Sequence, residues 1–220
     1  GVPQRRERVF FVGFRSDLGI AWSFPRETHS AEALAWDQYR DSSYWDRHRV
    51  GWKERAFSER TRARAWKVRE RPATKAWVTV RDALAGLPDP EFEPNAARAH
   101  LNHRFQPGAR SYTGHTGSPL DEPAKTLKAG VHGVPGGENM LLKPDGSVRY
   151  FSVRESARLQ TFPDNFLFHG SWTETMRQLG NAVPVTLARI VAEDVMRHLE
   201  SSIEQGTIQS ARQDKSRKKH

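Results

Sequence analysis

A chain of 220 residues, 36% hydrophobic and 28% charged, has room for one sizeable core, or for a small core and a second lobe, and leaves much of its surface to solvent or partners. A formal charge of +9 and a pI near 10.2 point first to a polyanion such as nucleic acid. With no cysteine, the chain by itself has no disulfide, no cysteine-ligated zinc and no cysteine nucleophile; nor does any apolar run approach the roughly 18 residues that span a bilayer, so a cytoplasmic location is expected.

The sequence opens at Gly1 rather than Met, directly in a compact string, GVPQRRERV, and a missing amino-terminal portion is expected. Arg8 to Phe14 (RVFFVGF) is apolar and rich in β-branched and aromatic residues, which predicts a buried strand whose neighbours lie outside this chain. From Ser30 to about Trp45, Ala, Leu, Trp and Tyr suit a loosely patterned helix. Between Arg47 and Arg71, ten Lys or Arg stand against three Glu, interleaved with Trp52, Phe57 and Trp66. That stretch is either a solvated charged face or a surface that holds a phosphate backbone. Thr79, three residues before Asp82, predicts a capped short helix stopped by Gly86 and Pro88. Pro88 to Gly117 lacks periodicity and reads as loop.

The segment Thr126 to Gly137 (TLKAGVHGVPGG) holds four glycines and one proline, a backbone free to turn sharply and to approach a ligand closely. Ser147 to Val153 alternates as a strand does, and Ser152 with Glu155 forms a capping box for a helix through Ala157 and Leu159 that ends at Phe162 and Pro163. A second pair, Ser171 and Glu174, opens a short helix closed by Gly180. Asn181 then caps a final helix with Pro184 in its first turn. In that helix Leu187, Ile190, Val191, Asp194, Val195 and His198 keep helical spacing, so one stripe must pack on something. Beyond Ser201 the chain turns polar and ends in Lys215, Arg217, Lys218 and Lys219, which predicts a disordered tail.

Three strings, in this order, resemble the C5-cytosine DNA methyltransferase family: Gln4, Arg6 and Arg8 of GVPQRRERV match its Gln-x-Arg-x-Arg motif, and RESARLQTFPD (Arg154 to Asp164) and QLGNAVPV (Gln178 to Val185) match two later motifs. The resemblance implies an α/β fold made of edge elements of a Rossmann-like, S-adenosylmethionine-dependent methyltransferase domain and a mixed, loop-rich target-recognition domain. The implied division is a catalytic-domain strand in 1–15, target recognition in 16–170, helices returning to the catalytic domain in 171–200, and a basic tail in 201–220.

A base methylated within a duplex must be swung into a pocket that holds its phosphate and its Watson–Crick edge. By resemblance Arg8 contacts the flipped cytosine, while Gln4 and Arg6 support that site. Asn181 contacts S-adenosylmethionine, its amide able both to donate and to accept. Ala182 stands where many members have serine, so only a backbone contact to the cofactor would survive there. Without the family, Gly180 and Asn181 read as a left-handed turn between two helices. Thr126 and Leu127 match the Thr-Leu pair of the family's recognition domain; with Lys128 they are candidate contacts to double-stranded DNA, and Lys128, His132 and Asn139 read equally as base or phosphate contacts or as solvated loop residues. Arg154, Glu155 and Arg158 are spaced for ion pairing along one side of their helix and carry no chemistry.

The family reaction uses a cysteine thiolate that attacks C6 of cytosine so that C5 takes the methyl group. Its Pro-Cys and Glu-Asn-Val motifs would precede Gly1. The chain alone is therefore expected to be inactive and to need an amino-terminal segment or subunit. The alternative is a non-catalytic DNA-binding module.

Overall fold

The structure, a computed structural model, describes residues 1–129 and 139–217, with side chains through residue 204. It is a mixed α/β chain with two small sheets that divides into two compact units. The larger comprises Gly1–Glu7 and Glu27–Thr186, the smaller Arg8–Arg26 and Leu187–His220. By compactness, residues 16–26 group with the last helix and residues 171–186 with the long central region.

In the larger unit β1 (His29–Ser30) leads into α1 (Ala31–Tyr39), α2 (Ser43–His48), α3 (Glu59–Lys67), β2 (Lys75–Ala76), α4 (Val80–Leu84) and α5 (Pro94–Arg98). Then come β3 (Ser118–Pro119), β4 (Met140–Leu142), β5 (Val148–Tyr150), α6 (Val153–Leu159) and α7 (Trp172–Asn181). β1 and β2 pair in parallel, β3 pairs in parallel with β4, and β4 pairs antiparallel with β5 in the register Leu141↔Arg149. The loose helix expected from Ser30 is thus α1 and α2, and the loop expected after Pro88 contains α5.

The three capping pairs form as the sequence predicts. Thr79, Ser152 and Ser171 each accept the amide three residues on, while Asp82, Glu155 and Glu174 reach back to the cap. Each pair satisfies two amides that a helix start would otherwise leave open. Between α4 and α7 lies the main core, with Leu127, Phe151, Leu159, Met176 and Leu179 almost wholly buried; a smaller cluster joins Leu34, Tyr44, Trp45 and Val50.

α6 is buried nearly all round, and its charges do not pair along one side as expected. Glu155 takes a two-pronged contact from Arg149 at 2.8 and 2.7 Å. Arg154, 1% exposed, donates to the carbonyls of Leu101, Pro163 and Phe166, and Arg158 clasps Asp164. A buried ion needs its full set of hydrogen bonds. Partners from other elements supply them better than neighbours on the same short helix. His103, fully buried, ties the loop before it to the start of α6: Nε2 donates to the Pro88 carbonyl at 2.8 Å, and Nδ1 faces the Ser152 hydroxyl at 2.7 Å. The carbonyl can only accept, which fixes the tautomer, and burial pushes the imidazole pKa down.

In the smaller unit, Arg8–Phe14 forms no strand. Phe11 is 95% and Val9 79% exposed. A strand exists only through a neighbour's hydrogen bonds, and no described segment pairs with this one. A 3-10 turn follows at Ser16–Leu18. The helix α8 (Val185–Arg217) begins at the end of the larger unit and runs through the smaller. Its stripe packs as predicted: Leu187, Ile190, Val191 and Val195 are half-buried and Asp194 is buried. Asp194 accepts the Trp22 indole N–H at 2.7 Å, and the Ser202 hydroxyl donates to the Leu18 carbonyl. α8 also continues past Ser201, where a disordered tail was expected. That polar stretch has no proline and one glycine, so nothing in its backbone chemistry stops a helix. Residues 218–220, including Lys218 and Lys219, lie outside the described residues.

Candidate functional site

Gln4 and Arg6 fasten three distant segments of the larger unit. Gln4 is buried and held by a backbone bridge: the Arg5 amide donates to the Ala124 carbonyl at 2.7 Å and the Ala124 amide to the Pro3 carbonyl at 3.0 Å. Its side chain works in both directions. Oε1 accepts the Leu127 amide at 3.0 Å, and Nε2 donates to the Leu159 carbonyl at 3.3 Å. Arg6 spreads its guanidinium over the Leu127, Gly180 and Ala182 carbonyls at 3.2, 2.5 and 2.8 Å. Five fixed N–H donors on a planar group suit this convergence of carbonyls, which an ammonium would reach only in part.

Between these anchors runs Thr126–Ala129. The Thr126 hydroxyl donates to the Arg5 carbonyl, and Glu122 pairs with the Arg5 side chain. Leu127 is 1% exposed, so its side chain is a core anchor and only its backbone faces Gln4 and Arg6. Lys128 is exposed. Asn139 is buried, its amide spent on the backbone of Lys128: Oδ1 accepts the Lys128 amide at 3.1 Å and Nδ2 donates to its carbonyl at 3.4 Å. These two bonds tie Asn139 to the Lys128 backbone. His132 and the four glycines of the loop lie outside the described residues.

The Lys128–Ala129 backbone meets α7 at Gly180. A Cβ there would lie 2.6 Å from the Ala129 nitrogen and 2.7 Å from its Cα. Gly180 is not in a left-handed conformation, so the turn read into the Gly-Asn pair is absent; glycine is needed here because two backbones touch. α7 ends at Asn181, and Ala182 to Pro184 link it to α8. The link is held from the other side by two residues of the RESARLQTFPD string that the sequence does not single out within it. Gln160 donates through Nε2 to the Leu179 carbonyl and accepts the Val185 amide on its backbone oxygen, while Thr161 Oγ1 accepts the Thr186 amide at 2.8 Å. Thr161 sits at φ 58. No periodicity or capping pattern marks Gln160 and Thr161 individually; their signal is their place in the RESARLQTFPD string, directly after a capped helix.

Asn181 projects from this clamp. Its side chain is exposed and its amide has no partner among the described residues, so a donor and an acceptor remain for a ligand. Ala182 offers less. Its amide donates to the Gln178 carbonyl at 3.0 Å and its carbonyl accepts from Arg6, which leaves one lone pair for a backbone contact. Arg8, in the smaller unit, is exposed.

The family model for C-5 cytosine-specific DNA methylases matches residues 1–197. The chain belongs to that family. Among methylase relatives it is 43% identical over 202 residues to Type II methyltransferase M.AplI of Arthrospira platensis, covering 91% of this chain and 46% of that protein. It is 32% identical to Type II methyltransferase M.SacI of Streptomyces achromogenes (90% and 49% covered). To Type II methyltransferase M.MthTI of Methanothermobacter thermautotrophicus it is 28% identical (91% and 54% covered). The chain thus spans about half the length of the curated relatives it matches.

Proposed function

We propose that this chain is the carboxy-terminal, DNA-reading and cofactor-edge part of a DNA (cytosine-5-)-methyltransferase of a restriction-modification system, acting on double-stranded DNA. The observation that carries the reading is the clamp of Gln4, Arg6, Gln160 and Thr161. It holds the Thr126–Ala129 loop against the end of α7 and the link that follows it, one element for each substrate. In this reading Arg8 holds the flipped cytosine, Thr126 and Lys128 flank the recognition loop with Leu127 anchoring it, and the Asn181 amide contacts the cofactor beside Ala182. Unengaged donor and acceptor atoms on Asn181 fit the polar groups of S-adenosylmethionine. That cofactor would supply the methyl group; this chain's own part is to position it and the base. The exposed apolar segment 8–14 would be an edge strand of a Rossmann-like domain completed by residues outside this chain. The thiolate must come from there too, since no cysteine is present.

Transfer of a labelled methyl group to duplex DNA tests this reading. The complete enzyme should methylate and this chain alone should not. Arg8→Ala in the complete enzyme should lower methylation roughly 10- to 100-fold, the scale of one charged hydrogen bond in the transition state, with a much smaller loss of duplex affinity. Equal losses of both would make Arg8 an ordinary phosphate contact. Sequence-selective DNA binding without methylation in any completed form would favour a non-catalytic module, the reading left open by the absence of cysteine.

A further inference from the structure

α3 has a single buried residue, Ala65, so the core dictates almost none of its sequence. It is nonetheless specialised. Several arginines around it are matched by carboxylates: Arg64 by Glu32 at 3.4 Å, Arg71 by Asp37 at 2.9 Å, Arg62 by Glu59 at 3.8 Å and Arg47 by Asp82 at 3.1 Å. Arg40, Arg60 and Lys67 are exposed and have no carboxylate partner among the described residues. Arg60, Ala63 and Lys67 recur at helical spacing on one exposed side of α3, with the small Ala63 between the two cations.

Arg40, at the end of α1, is the one of the three that lies over aromatic rings. Its guanidinium carbon lies 4.8 Å from the Trp36 ring centroid and 4.6 Å from that of Trp66, the residue before Lys67. Stacking on two indoles fixes the plane of the guanidinium while its edge N–H groups stay available, the geometry that suits a phosphate. Trp66 itself is 61% exposed, and Trp52 and Phe57 nearby in sequence are more so. Large rings left in water beside unpaired cations mark a contact surface rather than a solvated face.

We infer that the α1–α3 surface centred on Arg40, Arg60 and Lys67 binds the phosphodiester backbone of duplex DNA, separately from the clamped loop at Thr126–Ala129. This rests on the DNA-methyltransferase reading. The surface supplies sequence-independent affinity: each phosphate it neutralises releases counterions and adds to the salt dependence of binding, without favouring one base pair over another.

The test is fluorescence-anisotropy titration of the complete enzyme with duplexes containing or lacking its target site, across a range of salt. The triple variant R40Q/R60Q/K67Q should weaken binding to both duplexes by the same factor and make the slope of log K against log salt shallower by about 2 to 3, at roughly 0.9 for each phosphate no longer neutralised. A control, R98Q/R104Q, removes exposed cations from the end of α5 and the loop after it. If the triple variant keeps the wild-type slope, or if the control changes the slope as much per charge removed, the α1–α3 surface is no site. An enzyme that binds and methylates DNA while the triple variant is unchanged overturns this inference alone; a wild-type enzyme that neither binds nor methylates DNA overturns the underlying reading as well.

Discussion

At Gly180 a single hydrogen atom stands where any other residue would place carbon against the Lys128–Ala129 backbone. Gly180→Ala should therefore cost about 1–3 kcal/mol by overpacking and lower the thermal midpoint by a few degrees for each kcal/mol in a chain of this size. Gly13→Ala, whose Cβ would meet nothing within 4 Å, should stay within about 0.5 kcal/mol of wild type. Circular-dichroism melts of the two variants decide it, and a neutral Gly180→Ala would mean that loop and helix do not touch. The Gly-Asn pair looks in sequence like a helix-ending turn because that is the locally cheapest use of glycine. The need for close approach comes from residues some 50 positions away and leaves no trace in the local pattern. Arg6 was legible as important, though not as the group that converges three carbonyls.

Among elements, those with local causes were readable. The three capping boxes depend on residues three apart, and the stripe of α8 on a repeat within one helix. α6 shows where reading ended, since Arg154, Glu155 and Arg158 all find partners outside their helix. One such tie gives a pH-dependent prediction. Buried and neutral, His103 has a folded pKa below that of the unfolded chain, about 6.5. Above that value both states are neutral and the anchoring of α6 is intact; as pH falls below it, the unfolded chain takes up a proton that the folded one resists, until the lower folded pKa is reached. Urea midpoints should drop across that window, and the part of the drop due to this site should vanish in His103→Asn. An unchanged profile in His103→Asn would remove His103 as the cause.

For the molecule as a whole, family order divides the sequence into segments, whereas compactness groups Arg8–Arg26 with the last helix. The difference centres on the apolar run at 8–14, which its composition marks as a strand but which no described partner completes. Hydrogen exchange measures that directly. In this chain alone the amides of Val9 to Phe14 should exchange without protection, while that of Phe151, which donates to the Asn139 carbonyl at 2.9 Å, should be slow. In the complete enzyme, protection at 9–14 would be the mark of sheet pairing; its absence would sink the edge-strand proposal.

The clamp also orders events in time. Arg6 waits for Gly180 and Ala182, which follow it by 174 and 176 residues, so no ribosome-bound intermediate can close this ring until nearly the whole of the larger unit has emerged. At about 5–20 residues per second that is a delay of roughly 10–35 s. During it the guanidinium stays hydrated, and the last contacts made are those that bring the loop and the link together. Folding of this chain should accordingly be slow for its size, as expected when distant contacts must close large loops before they stabilise anything.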